Sequence, residues 1–334
     1  MATSGTIGQT TCDTTNVIEH AFRRCGKLAS TISAELQLSA RENLFFLLSD
    51  LANRGLSLWC VQKYVLGVNA NQNSYPLPIG VVDVNNALYR TKTDLTGSTV
   101  SGAGWQGQDL TTAAQVSTVS ISFTTSNTVT LVLESSSDNI TWKSEVAFPP
   151  AQTIGGGLWL CADPDMPATA RYWRVRETSG TLPTVSSLVF STTPYEVPMA
   201  KMNGDDYQSL PNKSLTVPTG SKSLQYWFDK QIAPRIVVWP ASQGAVDQIV
   251  IWTQRHIQDV GALTNTLDIP QRWLESIILT LACRCALELP AGELAPGRYE
   301  LLSAEAQIHL TQAEAGESDG SSIRLMPNLS CYSR

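Results

Sequence analysis

Ser117–Glu134 reads STVSISFTTSNTVTLVLE. Val119, Ile121 and Phe123 alternate with serine, and after a polar break Val129, Leu131 and Leu133 alternate again. A period of two puts each trio on one face of a strand and the polar partners on the other. The same period continues downstream at Trp173 and Val175, then at Leu188 and Phe190. Short alternating runs about ten residues apart, separated by Ser, Asn, Asp and Gly, are the signature of a β-sandwich or jelly roll. Residues 94–195 are therefore expected to form an all-β unit, poor in charge, with Lys143, Arg171, Arg174 and Arg176 as the basic residues of its span 95–195.

Outward from this stretch the pattern changes to helical. Asp13 and Thr14 precede Ile18, Phe22, Cys25 and Ala29, spaced by three and four, which predicts a first helix. A second is predicted over about residues 31–54, with Leu36, Ala40, Leu44, Leu47 and Leu51 on one face, Ser39-x-x-Glu42 as a capping box and Gly55 as the stop. Leu58–Val68 reads as a strand, and Val82–Tyr89 as a short helix or turn. Beyond residue 195, Leu224–Phe228, Arg235–Trp239 and Gln248–Ile257 read as strands. Asp268-Ile269-Pro270 opens a helix to about Leu289, with Trp273, Ile277, Leu281 and Cys285 as its inner stripe. A last helix is expected over about 296–315, followed by an extended arm. The fold class is α+β: a discontinuous, mainly helical domain with accessory strands (1–93 and 196–316), a β-sandwich insertion (94–195) and a C-terminal arm (317–334).

Charged residues are 16% of the 334, against about 25% in ordinary soluble domains, while apolar residues are 43%. Ordinary apolar content with a net charge of −6 excludes disorder. With 23 basic and 29 acidic residues and no basic run, a protein that coats DNA through phosphate contacts is not expected, and only a local patch stays open. MATSGTIGQTTCD has neither the cationic start nor the apolar stretch of a secretory signal, so the expected compartment is a cytoplasm. No apolar window is long enough to span a membrane. Seven scattered cysteines point to reduced thiols rather than a disulfide framework.

Motifs that carry chemistry are sparse, and no cofactor or metal is expected. His20, His256 and His309 each fall among ordinary polar neighbours. No nucleophile elbow, zinc-protease helix or phosphate-binding loop occurs, and Gly155-Gly156-Gly157 leads into Leu158-Trp159-Leu160, a turn rather than a nucleotide cradle. Cys283 and Cys285, two apart on a helix, point about 200° from one another and read as packing residues. Asp205 and Asp206, with Glu196, form the one candidate carboxylate set for a hydrolase; the alternative is acids at a helix start. Trp105, Trp142, Trp159 and Trp173 invite a sugar-binding reading because indole faces stack on sugar rings, with packing in the core of a jelly roll as the favoured alternative; Trp105, Trp142 and Trp159 are the candidate glycan or fibre contacts.

Two resemblances follow from longer blocks. ISAELQLSARENLFFLLSDLANRGLSLWCVQKYVLGV (32–68) and YPLPIGVVDVNNALYR (75–90), then DDYQSLPNK (205–213), LQYWFDKQIAPRIVVWPA (224–241), QIVIWTQRHIQDV (248–260), DIPQRWLESIILTLACRCALEL (268–289) and SSIRLMPNLSCYSR (321–334) resemble, in that order, the head-to-tail adaptor (connector) proteins of short-tailed bacteriophages. That resemblance implies a non-enzymatic virion protein, assembled in the host cytoplasm as a ring of twelve copies beneath the portal protein. The ring would join the DNA-filled head to the tail, dock tail nozzle or fibre proteins, and let DNA pass without specific binding or any membrane contact. It further implies a portal-binding arm with Ile323, Leu325, Met326, Leu329 and Tyr332 as anchors and Arg324 and Arg334 as charge contacts, and ring contacts from helices 31–54 and 270–289. Separately, SSSDNITW (135–142), ARYWRVR (170–176) and SSLVF (186–190) resemble discoidin or galactose-binding jelly rolls. That second resemblance implies carbohydrate binding through the insertion or, in a virion, decoration or a docking point for fibres.

Overall fold

The computed structural model describes residues 12–53, 58–125, 127–148, 153–154, 159–217, 222–242, 247–258, 260–290 and 292–317. In chain order the elements are α1 (Thr14–Cys25), α2 (Ala34–Asn53), β1 (Val61–Gly67), β2 (Ser74–Pro76), β3 (Val81–Asp94), β4 (Ser98–Gly102), β5 (Trp105–Gln115) and β6 (Thr118–Phe123). Then come β7 (Asn127–Thr128), β8 (Thr130–Ser136), β9 (Lys143–Ala147), β10 (Thr153–Ile154), β11 (Trp159–Ala162), β12 (Thr169–Ser179) and β13 (Val185–Pro198). The chain continues through β14 (Ala200–Lys201), α3 (Gly204–Ser209), β15 (Thr216–Val217), β16 (Gln225–Asp229), β17 (Arg235–Trp239), β18 (Ala241–Ser242), β19 (Gln248–Arg255), α4 (Gln271–Glu288) and α5 (Arg298–Gly316). These form an α+β protein of two compact units, Met1–Cys60 with His256–Arg334, and Val61–Arg255.

In the helical unit α4 packs against α1, α2 and α5. Its stripe Trp273, Ile277, Leu281 and Cys285 is buried, and so are Ile278, Leu279 and Ala282 beside it, as a helix covered on several sides requires. Asp13 caps α1 by accepting from the Asn16 amide at 2.8 Å, and Gly26 ends it in the left-handed conformation, φ 94°. α2 starts at Ala34, within the expected span, but not on the expected cap. Ser33 Oγ accepts from the Leu36 amide at 3.3 Å, whereas Ser39, expected in a capping box, lies inside the helix and bonds to Glu288. Gly55 lies outside the described residues, as do the anchors Ile323, Leu325, Met326, Leu329 and Tyr332 and the contacts Arg324 and Arg334.

The β unit holds a closed barrel ordered β1-β11-β6-β13-β3-β19, a five-stranded sheet β4-β5-β12-β8-β9 and a four-stranded sheet β14-β16-β17-β2. Two apolar cores fill it. One lies between the five-stranded sheet and β11-β6-β13, a β-sandwich whose buried residues, among them Val119, Ile121, Phe123, Leu131, Leu133, Trp173, Val175 and Phe190, all come from residues 110–190. The other is built from 68–89 and 199–251, including Tyr75, Tyr89, Tyr226, Ile236 and Ile251. β3 and β13 join them. Asp94 pairs with Ser191 and Arg90 with Glu196, so the two ends of the sandwich segment lie side by side.

Residues 61–93 and 196–255, grouped with the helices on sequence, belong to the β unit because β1, β3 and β19 are hydrogen-bonded into the barrel with β11, β6 and β13. Val82–Tyr89 is strand, not helix or turn. Its pairing with β19 slips twice, leaving Val82 and Asn85 without register partners. These irregularities space the buried residues Val81, Val84 and Ala87 by three, which imitates a helical period.

Candidate functional site

The outer face of the five-stranded sheet carries the site. Along β12, Trp173 and Val175 point into the sandwich core, so Tyr172, Arg174 and Arg176 point out. Register places Arg174 between Gly107 of β5 and Glu134 of β8, and Arg176 between Trp105 and Val132. Gly107 has to be glycine here: a Cβ would come within 2.3 Å of the Trp173 carbonyl oxygen. At Gly102, across the hairpin, a Cβ would strike the Trp105 indole at 2.4 Å, so the ring lies across the strand where a side chain would stand.

Trp105 and Trp142 meet with ring centroids 6.2 Å apart and planes tilted by 45°. The Arg174 guanidinium carbon lies 3.9 Å from the centre of the Trp142 ring and 5.3 Å from that of Trp105, a cation–π arrangement with both. Arg174 Nε donates to Glu134 Oε2 at 2.7 Å, while Arg176 Nε and Nη2 donate to Glu134 Oε1 at 3.0 and 2.7 Å. Burial works to raise the Glu134 pKa, but hydrogen bonds from Arg176 and Arg174 outweigh it and hold the carboxyl below its ordinary range.

Trp142 ends the loop that starts at Ser136. Asp138 accepts from the amides of Ile140 and Thr141 at 2.9 and 2.8 Å, and from Ser136 Oγ at 2.9 Å. These bonds, the Ile140 amide foremost, hold its carboxyl well below the usual aspartate range. Asn139 takes the left-handed conformation, φ 61°, that a short Asx-type turn demands. The loop thus fixes the position of the indole that follows it.

Trp105 and Trp142 are therefore brought together. Trp159 is on another sheet, on β11 against Gly67. Of the carboxylates, Asp206 completes a capping box with Asn203 at the start of α3, Asp205 lies in the same first turn, and Glu196 Oε1 pairs with Arg90. Cys285 is buried in the helical core and Cys283 packs against that core, while Gly155–Gly157 lie outside the described residues. Sequence reading missed Glu134, Asp138, Arg174 and Arg176 as site residues. The signal was present in ARYWRVR, where the arginines at 174 and 176 alternate with the core-facing Trp173 and Val175.

Together these features define an α+β protein with a β-sandwich whose outer sheet face presents two indoles around an anchored arginine. No family model and no curated protein sequence matches the chain. Similar solved structures include the C-terminal domain of a chitobiase from Bacteroides fragilis, at 18% identity and TM-score 0.23 over 26% of this chain and 62% of that one. CBM32-1 from a family 31 glycoside hydrolase of Clostridium perfringens is 11% identical, with TM-score 0.23 over 37% of this chain and 97% of its own. The CBM32 of AlyQ, solved in complex with 4,5-unsaturated mannuronic acid, is 15% identical, with TM-score 0.23 over 33% of this chain and 96% of its own.

Proposed function

We propose that the chain is a non-enzymatic recognition protein whose sandwich binds carbohydrate across Trp105, Trp142 and Arg174. The observation that carries this reading is the indole pair held at 6.2 Å around a guanidinium that Glu134 anchors. Indole faces stack on the C–H faces of a pyranose ring. The Nη groups of Arg174 make no hydrogen bond to the described residues, so they can donate to ring hydroxyls. A glycan array probed with the full chain tests the reading, alongside Trp142→Ala and Arg174→Met. Binding that falls at least tenfold in both variants, with melting temperature kept within a few degrees, supports it. Failure of the unaltered protein to retain any glycan, or retention equal in all three proteins, removes it.

A second reading, the head-to-tail adaptor, is favoured by an observation on the helical unit. Leu38, Phe45 and Phe46 of α2 are 58%, 45% and 57% exposed. They line two neighbouring hollows of about 350 Å³ each, with Val260 in one and Ile257 in the other. A helix apolar on its outer as well as its inner side suits a subunit that is covered in its working state. In this reading copies form a ring on the portal protein, with tail nozzle or fibre proteins below. Native mass measurement with the cognate portal tests it: a ring-sized complex that needs residues 317–334 supports the adaptor, and no assembly beyond the portal itself rejects it. Among the described residues no helix is long and apolar enough to cross a membrane.

A further inference from the structure

Phe45 lines both hollows on the outer side of α2, so they adjoin as one groove that runs from Leu38 and Glu42 to Ala52, beside Ile257 and Gln258. At about 1.5 Å per residue, Leu38 to Ala52 is ~21 Å of helix. The exposed rings of Phe45 and Phe46 meet edge to face at 5.7 Å in its wall. Such apolar surface is stabilised by a cover. Beyond α5 the chain is fixed near the Ala52 end of this groove. Glu317, 4% exposed, accepts from Trp273 Nε1 at 2.9 Å and from Arg272 Nε at 2.7 Å in the first turn of α4. Trp273 packs on Trp59, ring centroids 5.4 Å apart, and Trp59 Nε1 donates to the Asp268 carbonyl. The Asp268 carboxylate accepts from the amide of Gln258, which lines the groove. Glu317 is thus linked to the groove through three side chains.

Residues 318–334 follow, outside the described residues. Their sequence has the length and pattern of a cover. Ser318-Asp319-Gly320-Ser321-Ser322 is a polar tether, after which Ile323, Leu325, Pro327 and Leu329 recur at every second position with Arg324, Met326 and Asn328 between them. In an extended chain this period puts the apolar set on one face, and Pro327 opposes a helix. At ~3.3 Å per residue the tether reaches about 20 Å from Glu317, and Ile323 to Leu329 spans about 20 Å more, the length of the groove. We propose that in the free protein residues 323–329 lie extended along α2 of their own chain, Ile323 toward Ala52 and Leu329 toward Leu38. So short a tether raises the local concentration of the segment to the order of millimolar, which favours its own groove over that of a second copy. A partner that captures the arm uncovers Leu38, Phe45 and Phe46, so arm capture and contact through α2 are coupled. The covering depends neither on carbohydrate binding nor on a ring.

Photo-crosslinking of the full chain tests the covering. Protein carrying a benzophenone side chain in place of Leu325 is made in light and heavy isotopic forms, mixed in equal amounts, irradiated at high dilution and read by peptide mass spectrometry. The expected products join the arm to peptides of 38–52 or 256–260, light with light and heavy with heavy. Phe45→Ala should cut their yield at least fivefold. Leu329→Asp should do the same and raise the fluorescence of bound anilinonaphthalene sulfonate at least twofold, with melting temperature unchanged. Should Phe45→Ala fail to fold, Leu38→Ala serves in its place. Light-to-heavy crosslinks as the main product would assign the groove to a second copy and overturn the proposal. Crosslinks to other parts of the chain, no crosslink at all, or a yield unchanged in the folded variants would overturn it as well.

Discussion

Glu134 is a single carboxylate answering two arginines, and its removal should be felt twice. Glu134→Gln keeps the shape but offers an amide NH₂ to a guanidinium, so urea unfolding should show a loss of about 1–3 kcal/mol. The same variant should weaken glycan retention, because Arg174 loses the anchor that holds it over Trp142. Asp138 and Glu134 also set an acid limb. Both titrate below their ordinary values in the folded chain. A carboxyl with a depressed native pKa contributes stability that is fully present above its unfolded value, near ~4, and is lost as pH falls through the native one. Melting temperature should therefore be level from pH 7 to about 5 and fall below about 4, and Asp138→Asn should flatten that fall. A flat profile down to pH 3 in the unaltered chain would contradict this. Of the six residues gathered on this face, Trp105 and Trp142 alone were among the sequence candidates. Trp105 and Trp142 are conspicuous as aromatic residues in a polar segment, but which indoles meet depends on strand register, and that is a long-range property. Trp159 looks equivalent in sequence and falls on a different sheet.

At the level of elements, the helices were the legible part. α4 announces itself through Asp268-Ile269-Pro270 and a stripe at steps of four, all local signals, and its burial follows them. β3 was not legible, because two slips in its pairing with β19 turn an alternating pattern into a three-residue spacing that only the partner strand explains. β3 also carries the charge that fastens the barrel. Arg90 is 3% exposed, donates to Asp163 of the segment after β11 and to Glu196 of β13, and reaches Gln248 of β19 at 3.2 Å. Gln248 in turn donates to Thr118 and Ser120 of β6. One side chain on β3 thus engages both of its neighbouring strands, and through Gln248 the opposite side of the barrel. Arg90→Met keeps the volume of the stem but leaves Glu196 without its cation and Asp163 with Lys63 alone. Removing one partner from a buried ionic network costs about 3–5 kcal/mol, so the variant should unfold at markedly lower urea or not accumulate. A loss below 1 kcal/mol would mean that the network contributes little.

For the whole molecule, the composition change near residues 94 and 195 brackets the residues of the sandwich core, and it is not the boundary of the compact unit. The sandwich core draws its buried residues from 110–190 alone, which is why its alternation stands out in sequence. The compact unit is nevertheless Val61–Arg255, because strands from both flanks complete the barrel, and pairing between distant segments leaves no mark in local composition. The two boundaries predict different behaviour for two fragments. Residues 95–195 keep the core and the site, with Trp105, Trp142, Arg174 and Glu134 all inside, but β11 loses β1 and β13 loses β3. Two unpaired strand edges are then open to other copies, and Gln248, which holds Thr118 and Ser120, is gone. Residues 61–255 retain every one of these pairings. The longer fragment should therefore be monodisperse and melt cooperatively, while the shorter should melt lower and self-associate as its concentration rises, seen by calorimetry and light scattering. If carbohydrate binding resides in the sandwich, both fragments should bind the same glycan within about threefold while the shorter is kept dilute, since neither cut touches the indole face. Binding by 61–255 but not by dilute, folded 95–195 would place the recognising residues on the flanking strands instead.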